Sequence, residues 1–231
     1  MRYIKYNEKI IPYKPKVYVN NGVSMNKKIE LENLSLFCKF ANKHNIQYSP
    51  IYGTLLGIIR DNDLLSHDED VDIGIFAEDY DKIFENIGEL LKLGFVITRY
   101  EECGFMTLTR KNNYIDFYSF KKEGKYRQAC NAYYYPSVFF DTLTNVNFKG
   151  IAMYILSVPG EVLQFEYGET WKTSIVRTAS KKEIIISTMK ARVKLLLPKK
   201  LAQKLTYEKD EKTRAKYIRK CDAYYENINV K

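Results

Sequence analysis

Gly53-Thr54-Leu55-Leu56-Gly57-Ile58-Ile59-Arg60, followed by His67-Asp68-Glu69-Asp70-Val71-Asp72-Ile73-Gly74-Ile75-Phe76, is the stretch on which the fold of this 231-residue chain turns. Val71 to Phe76 is an apolar run that reads as a buried β-strand, and side chains two apart on a strand share a face, about 6.5–7 Å apart. Asp70 and Asp72 therefore point the same way. Two like charges at the mouth of an apolar strand repel each other, and a divalent cation between them removes that cost. All-oxygen ligands favour Mg²⁺ or Mn²⁺. An isolated acidic pair of this kind is more often a solvated loop running into a strand, so the neighbouring features carry the decision.

Two features do so. Gly53-Thr54 follows an expected strand, Ile46–Tyr52, and opens a short helical run from Leu55 to Arg60. The N–H groups of such a turn can hold a phosphate, and Arg60 at its far end can add a bidentate contact. Farther on, Tyr114-Ile115-Asp116-Phe117-Tyr118 places a lone carboxylate in a strand-like apolar run. Such a group is costly to bury unless it is paired or bound to metal, which makes Asp116 the candidate third carboxylate beside Asp70 and Asp72.

A glycine-Thr turn, an acidic strand and a later strand with a single Asp resemble the nucleotidyltransferase (polymerase β-like) fold. The wording from Tyr52 to Arg60 and from Asp68 to Ile73 resembles, more narrowly, the LicD family, whose relatives include fukutin and the fukutin-related protein. Val158-Pro159 through Tyr167-Gly168-Glu169-Thr170-Trp171 resembles a second landmark of that family, and the likeness runs from about Asn26 to Trp171. One departure is Ser66-His67, where many members carry Pro-Trp. His67 is expected as a hydrogen-bond partner beside the carboxylates rather than a metal ligand.

The resemblance implies an α+β fold with a mixed central sheet flanked by helices. It also implies transfer of a phospho-alcohol (phosphocholine, glycerol phosphate or ribitol phosphate) from a CDP-activated donor to a sugar hydroxyl of a glycan or lipid-linked glycan, with CMP leaving. Such chemistry needs positioned phosphates and cations over developing negative charge. Asp70 and Asp72 would hold the metal, and Asp116 would either complete a metal site or take the proton of the acceptor hydroxyl. Gly53, Thr54 and Arg60 would bind the donor phosphates. Asp68 is a candidate outer participant, and Glu69 a weaker one. Two other readings use the same residues differently: a nucleotidyltransferase moving a nucleoside monophosphate from an NTP to a small molecule, and a non-catalytic binding module in polysaccharide assembly.

The charge is lopsided. Residues 1–180 balance 22 Lys/Arg against 22 Asp/Glu, whereas 181–231 hold 15 against 6, so the net +9 belongs to the C-terminal part. There Ile184 to Leu205 interleaves aliphatic and basic residues as an amphipathic helix broken at Pro198. That pattern suits either an anionic membrane surface or packing against the body. No nucleic-acid-binding motif accompanies it. Four spaced cysteines without a C-x-x-C pair read as reduced thiols, no 18 apolar residues run together, and the first residues lack a signal-peptide core, so the expected location is cytoplasmic, with the inner membrane face as a peripheral site.

The expected organisation is a loose arm over 1–25, a catalytic domain over 26–180 and a basic helical extension over 181–231. Within the domain, helices are expected at Asn26–His44, Asp79–Leu93 and from Pro159. A meander is expected over Phe95–Tyr100, Gly104–Arg110 and Tyr114–Phe120, and a polar loop over Lys121–Gln128 with Arg127 as a weak phosphate contact. Twenty tyrosines include the run Tyr133-Tyr134-Tyr135, expected mainly as packing with some contact to substrate, and Trp171 is expected as a packing anchor.

Overall fold

The computed structural model describes residues 2–16, 23–174 and 199–229, the last helix by its backbone alone as far as 209, together with single positions at 182, 185, 186 and 189. The chain opens with a hairpin, β1 (Arg2–Tyr6) and β2 (Lys9–Tyr13), turned at Asn7 in the left-handed region. This corrects the expected loose arm. Ile4, Ile11 and Tyr13 face inward and are buried, and Tyr6 stacks on Phe84, so the alternation of the segment outweighs its two prolines.

Helix α1 (Lys27–Lys43) is capped by Asn26, whose side chain accepts from Ile29 N–H at 3.3 Å. It buries Leu34, Phe37, Cys38 and Ala41 at helical spacing. The strand expected at Ile46–Tyr52 is shorter, β3 (Tyr48–Pro50), because the chain turns into α2 (Tyr52–Leu56) and a π-helical turn over Gly57–Asp61. Next come β4 (Val71–Phe76) and α3 (Ala77–Lys92), which sets Tyr80, Ile83, Phe84, Ile87 and Leu90 inward and ends before Gly94 in the left-handed region.

The meander is β5 (Val96–Glu101), β6 (Phe105–Arg110) and β7 (Asn113–Glu123). The expected polar loop after it is instead a second hairpin. β7 runs on to Glu123, turns at Gly124, and pairs with β8 (Tyr126–Ala129), which pairs in turn with β9 (Tyr133–Pro136). Alternation of Tyr126, Gln128 and the three tyrosines on opposite faces sustains strands where composition alone reads as loop. The main sheet has the order β3-β4-β7-β6-β5, with β4 and β7 parallel and the other neighbours antiparallel. A separate hairpin, β10 (Leu143–Phe148) and β11 (Ile151–Leu156), precedes α4 (Pro159–Tyr167), which starts on its proline.

The last helix, α5 (Lys199–Asn229), lies against β9. Tyr217 sits 5.5 Å from Tyr133 between ring centres, Tyr224 4.9 Å from Phe139, and Cys221 is fully buried. From residue 210 onward this part of the extension is packed on the body. The basic amphipathic stretch expected over 181–198 lies outside the described residues apart from the single positions named above. No helix among the described residues is long and apolar enough to cross a membrane.

Candidate metal centre

Parallel pairing of β4 with β7 sets Asp72 in register with Asp116, and Asp70 precedes the first residue of β4. The carboxylates of Asp70, Asp72 and Asp116 each offer an oxygen, and these oxygens all lie within 4.8 Å of one another. The three residues singled out from the sequence thus converge.

The surrounding residues fix each carboxylate. Thr107 on β6 stands opposite Asp116 and donates its hydroxyl to Asp116 Oδ1 at 2.6 Å. Tyr118, two residues along β7, donates to the Asp72 carboxylate. Thr54 Oγ1 accepts the backbone N–H of Asp72 at 2.9 Å, and Ile51 N–H donates to Asp72 O at 3.1 Å. In this structure Thr54 therefore positions the acidic strand.

Gly53 is required by a close approach of Asp68. A Cβ there would lie 2.1 Å from Asp68 Oδ2, so the glycine is the surface on which the Asp68 carboxylate rests. Asp68 Oδ2 is buried without a hydrogen-bond partner. Tyr52, the first residue of α2, is held at φ 50°, a strained conformation for a side chain of its size. Arg60 is largely buried and forks onto Asp61 at 2.7 and 2.8 Å, with Tyr167 close enough to interact electrostatically. Any phosphate contact it makes competes with that pair.

The electrostatics are those of crowded, desolvated acids. Burial, reinforced by the neighbouring Asp116 and Asp68, pushes Asp70 up to about 8. Burial and the Asp70 charge push Asp72 well above the carboxylate range, and burial raises Asp116 to about 6 against the pull of the Thr107 hydroxyl. Three acids that resist ionisation together, with oxygens aimed at one volume, fit a hard divalent cation, which supplies the missing positive charge.

A residue that sequence reading missed is Glu30. It is 0% exposed in the first turn of α1, accepts from Asn33 Nδ2 at 3.2 Å, and leaves Oε1 without a partner. Burial pushes it up to about 8, with the Asp116 charge adding to the rise, and its own charge is felt by Asp70. An acid on the apolar face of an amphipathic helix was the available signal. A wall of aromatic rings continues from the triad: Tyr52 meets Tyr118 at 5.4 Å and Tyr133 at 6.2 Å, and Tyr133 meets Tyr217 of α5, whose hydroxyl bonds Glu166 at 3.1 Å. Only Tyr133 of the tyrosine triplet joins this wall while partly exposed; Tyr134 and Tyr135 are core.

The remaining sequence candidates fall elsewhere. His67 is exposed, and the acid cluster does not include it. Arg127 is buried against Glu78 (2.9 Å), Phe120 O (2.9 Å) and the Phe76 ring, a structural role. Trp171 packs partly buried on the aromatic cluster near the start of α4, as a packing anchor.

Residues 45–155 match the LicD/FKTN/FKRP nucleotidyltransferase domain. An uncharacterized protein of Rickettsia typhi (strain ATCC VR-144 / Wilmington) is 28% identical over 169 residues, 69% of this chain, and the chain spans about half of that relative's length, 52%. Two solved structures are similar at low identity. The antibiotic-resistance factor ANT(2'')-Ia is 16% identical, with 87% of this chain and 100% of that one covered at a TM-score of 0.44. The lincosamide antibiotic adenylyltransferase LnuA, bound to lincomycin, is 15% identical, with 72% and 97% covered at 0.42. The segment that matches the LicD/FKTN/FKRP nucleotidyltransferase domain contains β4, β7 and all three clustered aspartates.

Proposed function

We propose that this protein transfers a phospho-alcohol from a CDP-activated donor to a sugar hydroxyl of a glycan or lipid-linked glycan, with Mg²⁺ or Mn²⁺ held by Asp70, Asp72 and Asp116. The observation that carries the reading is the convergence of those three carboxylates within 4.8 Å inside the family's domain. Bound there, the cation would neutralise donor phosphate charge as the bond to CMP breaks.

The chain's own groups do the rest. Thr54 and Ile51 clamp the backbone at Asp72, and Tyr118 orients its carboxylate. Thr107 occupies Asp116 Oδ1, which turns the second oxygen of Asp116 toward either the cation or the proton of the acceptor hydroxyl. Tyr52, Tyr133 and Tyr217 offer ring faces on which a base or a sugar can stack. The basic segment before α5 would hold the enzyme at an anionic membrane, where a lipid-linked acceptor resides. Salt-sensitive binding to anionic vesicles that is lost on neutralising Lys190, Arg192 and Lys194 tests this part by itself.

The deciding experiment is thermal stabilisation by CDP, CTP and ATP, each with Mg²⁺ and with EDTA, since ligand at about 100 times its dissociation constant adds ~2.7 kcal/mol. Metal-dependent stabilisation by CDP with little from ATP is expected, followed by turnover in a donor screen. Preference for ATP with pyrophosphate release would replace the proposal with nucleotidyl transfer, and no response to any nucleotide would leave a binding module.

A further inference from the structure

The sheet brings together two cysteines that are far apart in sequence. β6 meets β7 with Phe105 opposite Tyr118, and Ser119 N–H donates to Gly104 O at 2.8 Å; β8 takes up β7 from Lys121, opposite Gln128. Where one strand hands over to the next, the turn holding Cys103 abuts the turn holding Cys130, near enough for each thiol to shift the ionisation of the other, and Cys103 Sγ donates to Glu101 Oε2 at 3.9 Å. The approach is fixed by backbone. Gly104 is in the left-handed region with room for a Cβ only 2.6 Å from Ser119 Cβ, and Cys130 itself has φ 53°. Both cysteines keep partial exposure, whereas Cys38 and Cys221 are fully buried.

We propose that Cys103 and Cys130 form a thiol–disulfide exchange site that accepts a low-molecular-weight disulfide of the glutathione class and closes into an intrachain disulfide. Cys103 is the attacking group, because the neighbouring Cys130 thiol lowers its pKa, whereas Cys130 is raised. Cys103 thiolate attacks one sulfur of glutathione disulfide, that S–S bond breaks, and one glutathione thiolate leaves. Cys130, its proton lost to water, then attacks the Cys103 sulfur of the mixed disulfide and expels the second glutathione thiolate. Two protein thiols are oxidised by two electrons, and one glutathione disulfide is reduced to two thiols. The bond would pin the turn that leads into Tyr133, and so the tyrosine wall beside the clustered aspartates.

The test uses the full chain treated with glutathione disulfide, quenched by alkylation and read by intact mass and peptide mapping. The expected product has lost two hydrogens, yields a linked peptide containing residues 103 and 130, and returns to the starting mass with dithiothreitol. Cys130→Ser is expected to stop as a single glutathione adduct on Cys103, and Cys103→Ser to form no intrachain bond, with circular dichroism showing both variants folded. Stable adducts on the unaltered chain without the 103–130 peptide, links through Cys38 or Cys221, or no reaction would each overturn the proposal, whatever nucleotides the protein binds.

Discussion

Thr54 Oγ1 lies 2.9 Å from the backbone nitrogen of Asp72 and accepts its hydrogen bond, so the turn that begins α2 holds the start of the acidic strand in place. Thr54 is 1% exposed, which means that neither partner has water to fall back on. Replacing it by Val keeps the shape and strands the Asp72 N–H, at a cost of about 1–3 kcal/mol. Thr54→Ser is expected to recover most of that loss, as read by denaturant midpoints of the two variants.

Asp72→Asn is expected to preserve the fold and raise the melting temperature of the metal-free protein, since it removes one of three mutually repelling acids. Transfer activity should fall to background. A variant that turns over at the original rate would remove Asp72 from the proposed metal site.

Gly53→Ala forces a methyl into Asp68 Oδ2 and is expected to destabilise by about 1–3 kcal/mol. Asp68→Ala in the same chain removes the clash. A double-mutant cycle measured by chemical denaturation should therefore show strong coupling, and additive effects would mean that the two residues do not touch.

The pH dependence of metal-free stability should run opposite to the usual behaviour of carboxylates. Glu30 and Asp70 are raised to about 8 and Asp116 to about 6 in the folded state, above their unfolded values near 4. Acids raised by folding stabilise when protonated, so their contribution is complete below about pH 4 and is lost as pH climbs toward 8. Melting temperature in EDTA is expected to decline across that window, and Mg²⁺ to flatten the decline. A stability that rises steadily from pH 5 to 8 in EDTA would show that the acids are not crowded as described.

Removing α5 is expected to unfold or aggregate the body. The helix covers Tyr133, Tyr135 and Phe139, and Tyr217→Ala alone should cost about 3–5 kcal/mol if its ring packs as a core aromatic does. Thermal melts of the point variant provide the measurement.

Much of this protein was written locally. Val71 to Phe76 is apolar enough to be a strand in any setting, Asp70 and Asp72 share a face because a strand repeats every two residues, and Tyr80 to Leu90 follows the helical period. What local pattern could not supply was partnership across the chain. Only the parallel pairing of β4 with β7 puts Asp116 beside Asp72, only the fold of α1 over the sheet brings Glu30 near them, and only the docking of α5 adds Tyr217 to the tyrosine wall. The hydrogen-bond partners of Thr54, Arg60 and Arg127 lay outside the local pattern for the same reason. Periodicity determines which face a residue occupies, whereas its hydrogen-bond partner is whichever group tertiary packing delivers to that face, and a buried polar atom takes the partner it is given.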